Sequence, residues 1–236
     1  MQSGKEQTSG TFYASRCGRR AAAQVSAFIE SCIKGMNGGR ILTLGYATPF
    51  YAALEQSLPR IIVEADPTEA GEPPSAIKVS PLSLPFPNNA FHFVLIANAL
   101  ERVLQPEALL KEVRRVLVHD GSAVCITPNK YSLWGVRKSA PPMRFNLFSA
   151  KEVSGMMSDA LLAVKRQKSA MFLPPSAYAH NIGLLDEFLS VLPLSAGAFI
   201  LTHARKQEIA LTQKAVRKDY KSARITKASI FSSPRS

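Results

Sequence analysis

The sequence predicts an α/β domain with a doubly wound, mostly parallel sheet. From Arg40 onward, runs rich in Val, Ile and Leu alternate with helical patterns, which is the order of successive βαβ units. One run, FHFVLIANA, is apolar without alternation, as expected of a strand that is buried on both faces. The 236 residues fit one such domain with extensions and are few for two full domains.

The first predicted elements are a leading helix and a βαβ unit. The stretch TFYASRCGRRAAAQVSAFIESCIKGM, residues 11–36, is predicted as one helix, because its apolar residues recur at helical spacing from Ala22 to Ile33 and turn residues follow at 37–39. RILTLGYATPFYAALEQSLPRIIVEADP then offers a β-rich run, a glycine turn, a helical segment and a second β-rich run. Open α/β sheets bind ligands at the carboxyl ends of their strands, beside the first strand. Gly45 and its neighbours are therefore expected at the binding site.

The remaining elements continue the alternation. AIKVS is predicted as the third strand, FHFVLIANA as the fourth, PEALLKEVRRVLVHD as a helix ending at Gly121, and SAVCITPN as the fifth strand. A further helix begins after Ser149, with Glu152 at the capping-box position. AVKRQKSAMF and GAFILTHARK are expected to close the sheet as an antiparallel hairpin, with a helix over residues 179–193 between them.

Composition narrows the function classes. No apolar run approaches the roughly 18 residues that span a bilayer, and the N-terminus has no apolar signal core. We therefore expect a cytoplasmic protein without a membrane partner. Cys17, Cys32 and Cys125 form no CxxC pair, and the four histidines have no metal-binding spacing. Neither a disulfide framework nor a metal site is predicted.

The net charge of +12 is concentrated at the C-terminus. Nine Lys and Arg residues stand against two acids from His203 to Ser236, so this stretch carries more than half of the excess. We expect a disordered N-terminus at residues 1–10, a domain at 11–207 and a basic, disordered tail at 208–236. The tail is either a solvated appendage or an RNA-binding segment.

A long aromatic and basic stretch follows the fifth strand. Its notable side chains are Tyr131, Trp134, Arg137, Lys138, Arg144 and Phe145. The stretch could cover an acceptor site, hold a phosphate-bearing substrate or bind single-stranded RNA, or it is a surface loop anchored by its tryptophan.

The stretch from Ser83 to Asn129 resembles the class I S-adenosylmethionine-dependent methyltransferases, in particular the type 11 methyltransferase family. LPF, Phe91, Glu112, Arg115, Val116, Leu117, Gly121, Pro128 and Asn129 fall in register with that family's pattern. The LGYATPF loop further resembles a divergent bacterial group of such proteins. The resemblance covers residues 12–207 and implies a seven-stranded, Rossmann-like sheet with an antiparallel last strand, and S-adenosyl-L-methionine as cofactor.

The cofactor loop departs from the family's pattern. That pattern is an acidic residue, an apolar residue and then GxGxG, whereas this chain has TLGYATP and keeps only the first glycine, Gly45. Ala47 and Pro49 stand near the other two glycines, and Pro49 removes an amide donor although it can start a helix. Three acids of the family are also replaced, by Thr43, Ser80 and His92.

The resemblance implies a set of cofactor-binding residues. They are Gly45, Tyr46 and Ala47 in the turn, Glu64 or Asp66 for the ribose hydroxyls, Pro81 and Leu82 beside Ser80, and Asn98 after the fourth strand. Asp66 is favoured over Glu64 because the following proline marks the exit of the strand. Tyr46 either stacks on the cofactor or covers its sulfonium by a cation–π contact, or it packs in the core. Asn98 and Glu101 are also candidates for lining the pocket, and Asn129 either positions an acceptor or forms a turn.

Three functions follow from these observations. The first is methyl transfer to an unidentified acceptor, which requires alignment rather than a metal or a covalent nucleophile, so that no catalytic residue is predicted. The second is an inactive methyltransferase fold that binds RNA or protein. The third is a nucleotide-dependent oxidoreductase, which the LPF segment and the ExxRVL helix disfavour.

Overall fold

The computed structural model describes residues 9–36, 39–55, 60–67, 76–132, 146–172 and 197–207. Seven strands form one sheet in the order β3-β2-β1-β4-β5-β7-β6. They are β1 (Gly39–Gly45), β2 (Arg60–Asp66), β3 (Ile77–Lys78), β4 (Phe91–Ala97), β5 (Leu117–Pro128), β6 (Leu162–Ala170) and β7 (Phe199–Lys206). β1 to β5 are parallel, and β7 is antiparallel to both β5 and β6. The predicted sheet and its antiparallel ending are confirmed.

Helices cover both faces of this sheet. They are α1 (Ser9–Ala14), α2 (Arg16–Ile33), α3 (Tyr51–Glu55), α4 (Pro106–Val116) and α5 (Ala150–Asp159). α1, α2 and α3 pack with Ile41 and Leu95 in one apolar cluster, while α4 and α5 pack with Leu42 and Ile96 in a second. Successive residues of a strand point to opposite faces, so β1 and β4 are buried on both sides. The sheet is therefore doubly wound, as predicted.

The leading helix is divided into two helices, contrary to the prediction of one. Ser15 caps α2, because its hydroxyl oxygen accepts from the Gly18 amide (3.0 Å) while its O–H donates to the Phe12 carbonyl (2.6 Å). A Cβ at Gly18 would lie 2.0 Å from the Phe12 oxygen, so glycine permits α1 to fold against α2. α1 begins at Ser9, so the last two residues of the stretch predicted to be disordered are helical.

The predicted end of the fourth helix at Gly121 is wrong. α4 ends at Val116, and β5 begins at Leu117 and continues through Gly121. Leu117 is buried and pairs with Phe91 of β4, while its carbonyl accepts from the Lys206 side chain (2.6 Å). Tertiary pairing with β4 therefore decides this boundary. The third strand is also shorter than predicted, since only Ile77–Lys78 pair with β2.

The LPF segment is held against α4 by one side chain. All five N–H donors of the Arg115 guanidinium are used, on Glu112, on the carbonyls of Leu84 and Phe86, and on Asn88, at 2.8 to 2.9 Å. Glu112 in turn accepts from the Leu84 amide (2.8 Å). We call these residues the LPF clamp. The LPF and ExxRVL motifs therefore have a structural role, because their residues form the clamp.

The capping box of α5 forms as predicted, because Ser149 accepts from the Glu152 amide and Glu152 accepts from the Ser149 amide. None of the described helices has the length and apolarity that a membrane crossing requires, and the three cysteines are free thiols. The predicted helix at 179–193, the tail at 208–236 and most of the long basic stretch lie outside the described residues.

Candidate functional site

The turn after β1 is pressed against the end of β4. Gly45 has φ +82°, and a Cβ there would lie 2.5 Å from the Ala97 oxygen and 2.8 Å from the Ala99 Cβ. The Tyr46 amide donates to the Ala97 carbonyl (3.0 Å). Left-handed backbone and lack of space both require glycine here. This explains why the first glycine of the loop is kept.

The rest of the turn closes without the two missing glycines. Ala47 is fully buried and precedes a short 3₁₀ turn, Thr48–Phe50, with a proline in its first positions. The Phe50 amide donates to the Ala47 carbonyl (2.9 Å). The proline therefore starts a helical turn, a position in which its missing donor costs little.

Two acids lie near the carboxyl end of β2. Asp66 is its last residue and is 1% exposed, whereas Glu64 is half-buried and accepts a hydrogen bond from the Tyr51 hydroxyl of α3. Residues two apart in a strand share a face, so both acids lie on the α3 side. Because Asp66 is the last residue of β2, at the edge where open α/β sheets bind ligands, it remains the stronger candidate for the ribose hydroxyls.

Pro81 and Leu82 form the turn between Ser80 and Ser83, which are joined by an antiparallel bridge. The Val79 amide donates to the Asp66 carbonyl (3.0 Å), which brings this turn close to the end of β2. Leu82 is 54% exposed and is one of the few large apolar side chains left in solvent among the described residues. The turn can therefore offer an apolar surface beside Asp66.

An aromatic layer lies next to the Gly45 turn. The Tyr46 ring stacks on Tyr13 of α1, with centroids 5.9 Å apart, and Phe50 meets Tyr13 edge to face at 5.5 Å. The structure thus shows the packing alternative for Tyr46, and its contact with a cofactor stays a prediction. Tyr13 was missed as a site residue, although the FY pair at 12–13 belongs to the stretch that carries the resemblance.

Among the described residues, five buried polar atoms that lack hydrogen-bond partners belong to α1 and to positions at or after the carboxyl ends of β4 and β5. They are Tyr13 Oη, Asn98 Oδ1, Glu101 Oε2, Thr127 Oγ1 and Ser132 Oγ, and all five residues are at most 8% exposed. We call them the polar cluster. Asn98 and Glu101 follow β4, Thr127 lies at the end of β5, and Ser132 comes four residues after β5. Tyr13, Thr127 and Ser132 were not anticipated.

Contacts link three residues of the cluster, Tyr13, Asn98 and Glu101. The Asn98 amide donates to the Ile126 carbonyl (3.1 Å), which places Asn98 beside Thr127. Asn98 also approaches the Tyr13 hydroxyl closely enough to oppose the rise in the hydroxyl pKa that burial causes, but the pair makes no hydrogen bond of normal geometry. Glu101 acts electrostatically on both Tyr13 and Cys125.

Glu101 has the most altered acidity at this edge. Burial raises the pKa of its carboxyl to about 7, and a hydrogen bond with its own backbone and the nearby Arg102 charge oppose the rise. The same burial raises the pKa of the Cys125 thiol, and the Glu101 charge adds to that effect. Near neutral pH Glu101 is therefore divided between its charged and neutral forms, the condition that suits an acid or base in catalysis.

Asn129 has a structural role. Its side-chain amide donates to the Gly197 carbonyl (2.8 Å) and its oxygen accepts from the Tyr131 amide (3.1 Å). These bonds join the end of β5 to the start of β7, which agrees with the turn interpretation. Tyr131 is 67% exposed, while Trp134, Arg137, Lys138, Arg144 and Phe145 lie outside the described residues. Within the described ranges no group of His, Cys, Asp and Glu is arranged for a metal ion.

Comparisons with known sequences agree with the predicted resemblance. The family described as "Methyltransferase domain", of type 11, matches residues 51–125, a range that begins after the altered Gly45 turn. The uncharacterized protein YafS of Escherichia coli K12 is 29% identical over 161 residues. The alignment covers 66% of this chain and 65% of YafS, so the chain spans less than two thirds of that relative's length.

Solved structures share the fold at low identity. A SAM-dependent methyltransferase from Thermotoga maritima, described as a possible histamine N-methyltransferase, is 19% identical with a TM-score of 0.59, over 84% of this chain and 94% of that one. The geranyl diphosphate C-methyltransferase of Streptomyces coelicolor A3(2), solved with S-adenosyl-L-homocysteine, is 16% identical with a TM-score of 0.59, over 80% and 81%. The matched segment and the solved structures agree that this chain has the fold of the class I S-adenosylmethionine-dependent methyltransferases.

Proposed function

We propose that the chain transfers a methyl group from S-adenosyl-L-methionine to an acceptor bound at the carboxyl edge of the sheet. The observation that carries this proposal is the Gly45 turn. The backbone of Gly45 is left-handed, and a Cβ at this residue would collide with Ala97 and Ala99. A turn of this kind lets the chain exit β1 sharply and brings backbone close to a ligand.

The residues at this edge fit the cofactor. The backbone of Gly45, Tyr46 and Ala47 would face its amino acid part, and Asp66 would accept from its ribose hydroxyls. Pro81 and Leu82 would supply an apolar surface for the base, with Asn98 on the other side of β1. When bound, the cofactor supplies a methyl group already activated on a sulfonium, so the protein's task is to align the acceptor with it.

The replaced acids predict a modest affinity. Thr43, which stands where the family's acid meets the cofactor's amino group, is buried and directs its hydroxyl at the Val63 carbonyl (3.5 Å). A charged hydrogen bond lost without replacement costs about 1.5 to 3 kcal/mol. We therefore expect the dissociation constant to lie at least tenfold above that of a close relative with the acid in place.

A calorimetric titration with S-adenosyl-L-homocysteine tests the proposal with two glycine variants. Gly45→Ala places a Cβ 2.5 Å from a carbonyl oxygen at positive φ, and we expect binding to be lost. Gly155→Ala is the matched control, because nothing lies within 4 Å of its Cβ and alanine favours the helix. Equal affinity of the two variants would contradict the proposal.

A second variant, Asp66→Asn, tests cofactor binding even if Gly45→Ala does not fold. Asp66→Asn keeps the shape of the side chain but removes its charge, and we expect it to weaken binding about tenfold. Glu64→Gln should have a smaller effect, because Tyr51 already uses that carboxylate. The reverse order would assign the ribose contact to Glu64.

An active methyltransferase and an inactive fold are expected to bind different ligands. An inactive fold that serves as an RNA- or protein-binding module would bind no S-adenosyl-L-homocysteine. Its RNA affinity would fall steeply with salt and would depend on residues 208–236.

A further inference from the structure

We propose that a cavity between α2 and β6 is a binding site for a small phosphate monoester, separate from the cofactor's edge of the sheet. The cavity has a volume of about 300 Å³, at the lower end of the range for small-molecule sites. α2 lines one side of it, and β6 with part of β7 lines the other. Its lining residues include Gln24, Phe28, Ser31, Arg166, Lys168 and Leu201.

The cavity lies at one end of the sheet, away from the Gly45 turn. β6 is the last strand, and β4, β5 and β7 separate it from β1. Neighbouring strands are about 4.8 Å apart, so four steps place β6 roughly 19 Å from β1. None of the cofactor candidates is among the described residues that line the cavity. A ligand there would therefore leave the cofactor's contacts free.

The charge of the cavity is positive. Arg166 and Lys168 lie two residues apart on β6, so both side chains share the face of Ala170, which packs in one cluster with α2. No acid is among the described residues that line the cavity. Neither cation forms an ion pair within the described part of the chain. The cavity thus presents two positive charges without a counter-charge from the residues described.

A neighbouring histidine shows the same excess of positive charge. His203 of β7 is opposite Arg166 in the register and shares a face with Leu201, which lines the cavity. Burial lowers the pKa of its imidazole, and the charges of Arg166, Arg205 and Lys165 lower it further. Its Nε2 is buried and has no hydrogen-bond partner among the described residues. An anion in the cavity would offset the mutual repulsion of these cations.

The Arg166 guanidinium is held in a fixed position and keeps a donor for a ligand. Its Nη2 donates to the Ser31 hydroxyl and to the Cys32 sulfur (3.3 Å), and its Cζ lies 4.5 Å from the centroid of the Phe28 ring. Its Nε is buried and has no partner among the residues described. A positioned guanidinium loses little entropy when it binds an anion, and its donors match the geometry of phosphate.

Charge and shape together favour a small phosphate monoester. A monoester carries a charge of about −1.5 to −2 near neutral pH, which matches two cations. Ala27, Ala170 and Leu201 line the cavity and suit an apolar body attached to the phosphate. A strand of RNA fits less well, because single strands bind by stacking their bases on aromatic rings. The aromatic ring of the cavity, Phe28, is 6% exposed and is covered by the guanidinium.

Ligand-observed NMR on the full chain tests the proposal with three probes. They are phenyl phosphate, phenol, which lacks the charge, and inorganic phosphate, which lacks the apolar body. A salt concentration of 0.15 M screens surface charges beyond about 8 Å. We expect one saturable site for phenyl phosphate, and binding of the other two probes at least tenfold weaker.

Two matched pairs of variants locate the site. Lys168→Met removes a charge at the cavity and should weaken phenyl phosphate about fivefold, whereas Lys111→Met, at an exposed position on α4, should change nothing. Ala27→Leu fills the cavity without changing a charge and should weaken phenyl phosphate at least tenfold. Ala23→Leu, one turn earlier on α2, is its control. Both alanines are exposed, and leucine favours a helix, so both variants should fold.

Three outcomes would overturn the site. The first is equal binding of phenyl phosphate by Ala27→Leu and Ala23→Leu. The second is competition between phenyl phosphate and S-adenosyl-L-homocysteine, which would place the anion in the cofactor crevice. The third is an oligouridine strand that displaces phenyl phosphate at a lower concentration, which would make RNA the ligand.

The test is independent of the proposed function. Calorimetry on the same samples reports the affinity for S-adenosyl-L-homocysteine, which we expect to change less than threefold in Ala27→Leu. A chain that binds this nucleoside but not phenyl phosphate contradicts the anion site alone. A chain that binds phenyl phosphate but not the nucleoside supports the anion site and contradicts methyl transfer.

Discussion

The LPF clamp and the polar cluster both involve segments that flank β4, yet their hydrogen bonding is opposite. In the clamp, Arg115 uses every donor of its guanidinium and Glu112 accepts from both Arg115 and a backbone amide. In the cluster, five more deeply buried atoms have no partner among the described residues. Among the described residues, the hydrogen bonds of the clamp are complete and those of the cluster are not.

This difference separates residues whose hydrogen bonds stabilise the fold from buried groups that the fold leaves unsatisfied. A satisfied network gains from its hydrogen bonds, whereas an unsatisfied buried group lowers stability until something binds it. Removing a clamp residue should therefore destabilise the protein, and removing a cluster group should stabilise it. The following variants test that contrast in order of expected effect.

Arg115→Ala should have the largest effect. It removes five hydrogen bonds and leaves the Leu84 and Phe86 carbonyls and Glu112 without this partner, so the free energy of unfolding should fall by about 4 kcal/mol. Arg114→Ala, on the same helix, is the matched control, since its Nε has no partner. Urea denaturation measures both variants. If the free energy of unfolding falls no further in Arg115→Ala than in Arg114→Ala, the clamp does not stabilise the fold.

Glu101→Gln should change the pH dependence of stability. The folded pKa of about 7 lies above the ordinary value of 4.5, so the unfolded state ionises first as the pH rises. The contribution of Glu101 is therefore fully present below pH 4.5 and is lost through about pH 7, by up to about 3 kcal/mol. The glutamine variant should lack this decline and should be more stable than the unmodified chain at pH 8.

The groups that Glu101 affects electrostatically, Tyr13 and Cys125, do not titrate between pH 4.5 and pH 7. Burial raises the pKa of Tyr13 and of Cys125 away from this range. Denaturation at pH 5 and pH 8 gives the comparison, and parallel curves for the two proteins would show that Glu101 is not buried as described.

Thr127→Val and Thr202→Val form the most closely matched pair. Both threonines are fully buried on neighbouring strands, but within the described ranges only the hydroxyl of Thr202 has a partner, the Gln167 side-chain amide at 2.9 Å. We expect Thr127→Val to gain about 1 kcal/mol and Thr202→Val to lose about 1 to 2 kcal/mol. Thermal unfolding of the two variants measures the difference. Equal losses would show that Thr127 is satisfied in solution.

The fold was predictable from the sequence because its signals are local and repeated. The alternation of β-rich and helical runs, and the unbroken apolar run of β4, specify a doubly wound sheet without tertiary information. Two boundaries were not predicted. Ser15 and Gly18 divide the first helix through contacts with Phe12, and β5 begins at Leu117 because it pairs with Phe91. Both boundaries depend on tertiary contacts, which the hydrophobic periodicity of the sequence does not reveal.

The candidate site was predictable only in part. Gly45 and Asp66 are the last residues of β1 and β2, and position along the chain suffices to suggest them. Thr127 and Ser132 look like ordinary strand and loop residues, and their interest comes from lacking partners once buried. That property arises only when β4, β5 and α1 come together. The asparagine of the PN turn shows the reverse case, since Asn129 is fully engaged in joining β5 to β7.

Titration of the unmodified chain with S-adenosyl-L-homocysteine tests the central claim most directly. The account predicts one saturable site per chain, with a negative heat-capacity change as apolar surface at the sheet edge is buried. Absence of binding heat at several temperatures, in a sample whose cooperative unfolding shows that it is folded, would contradict it.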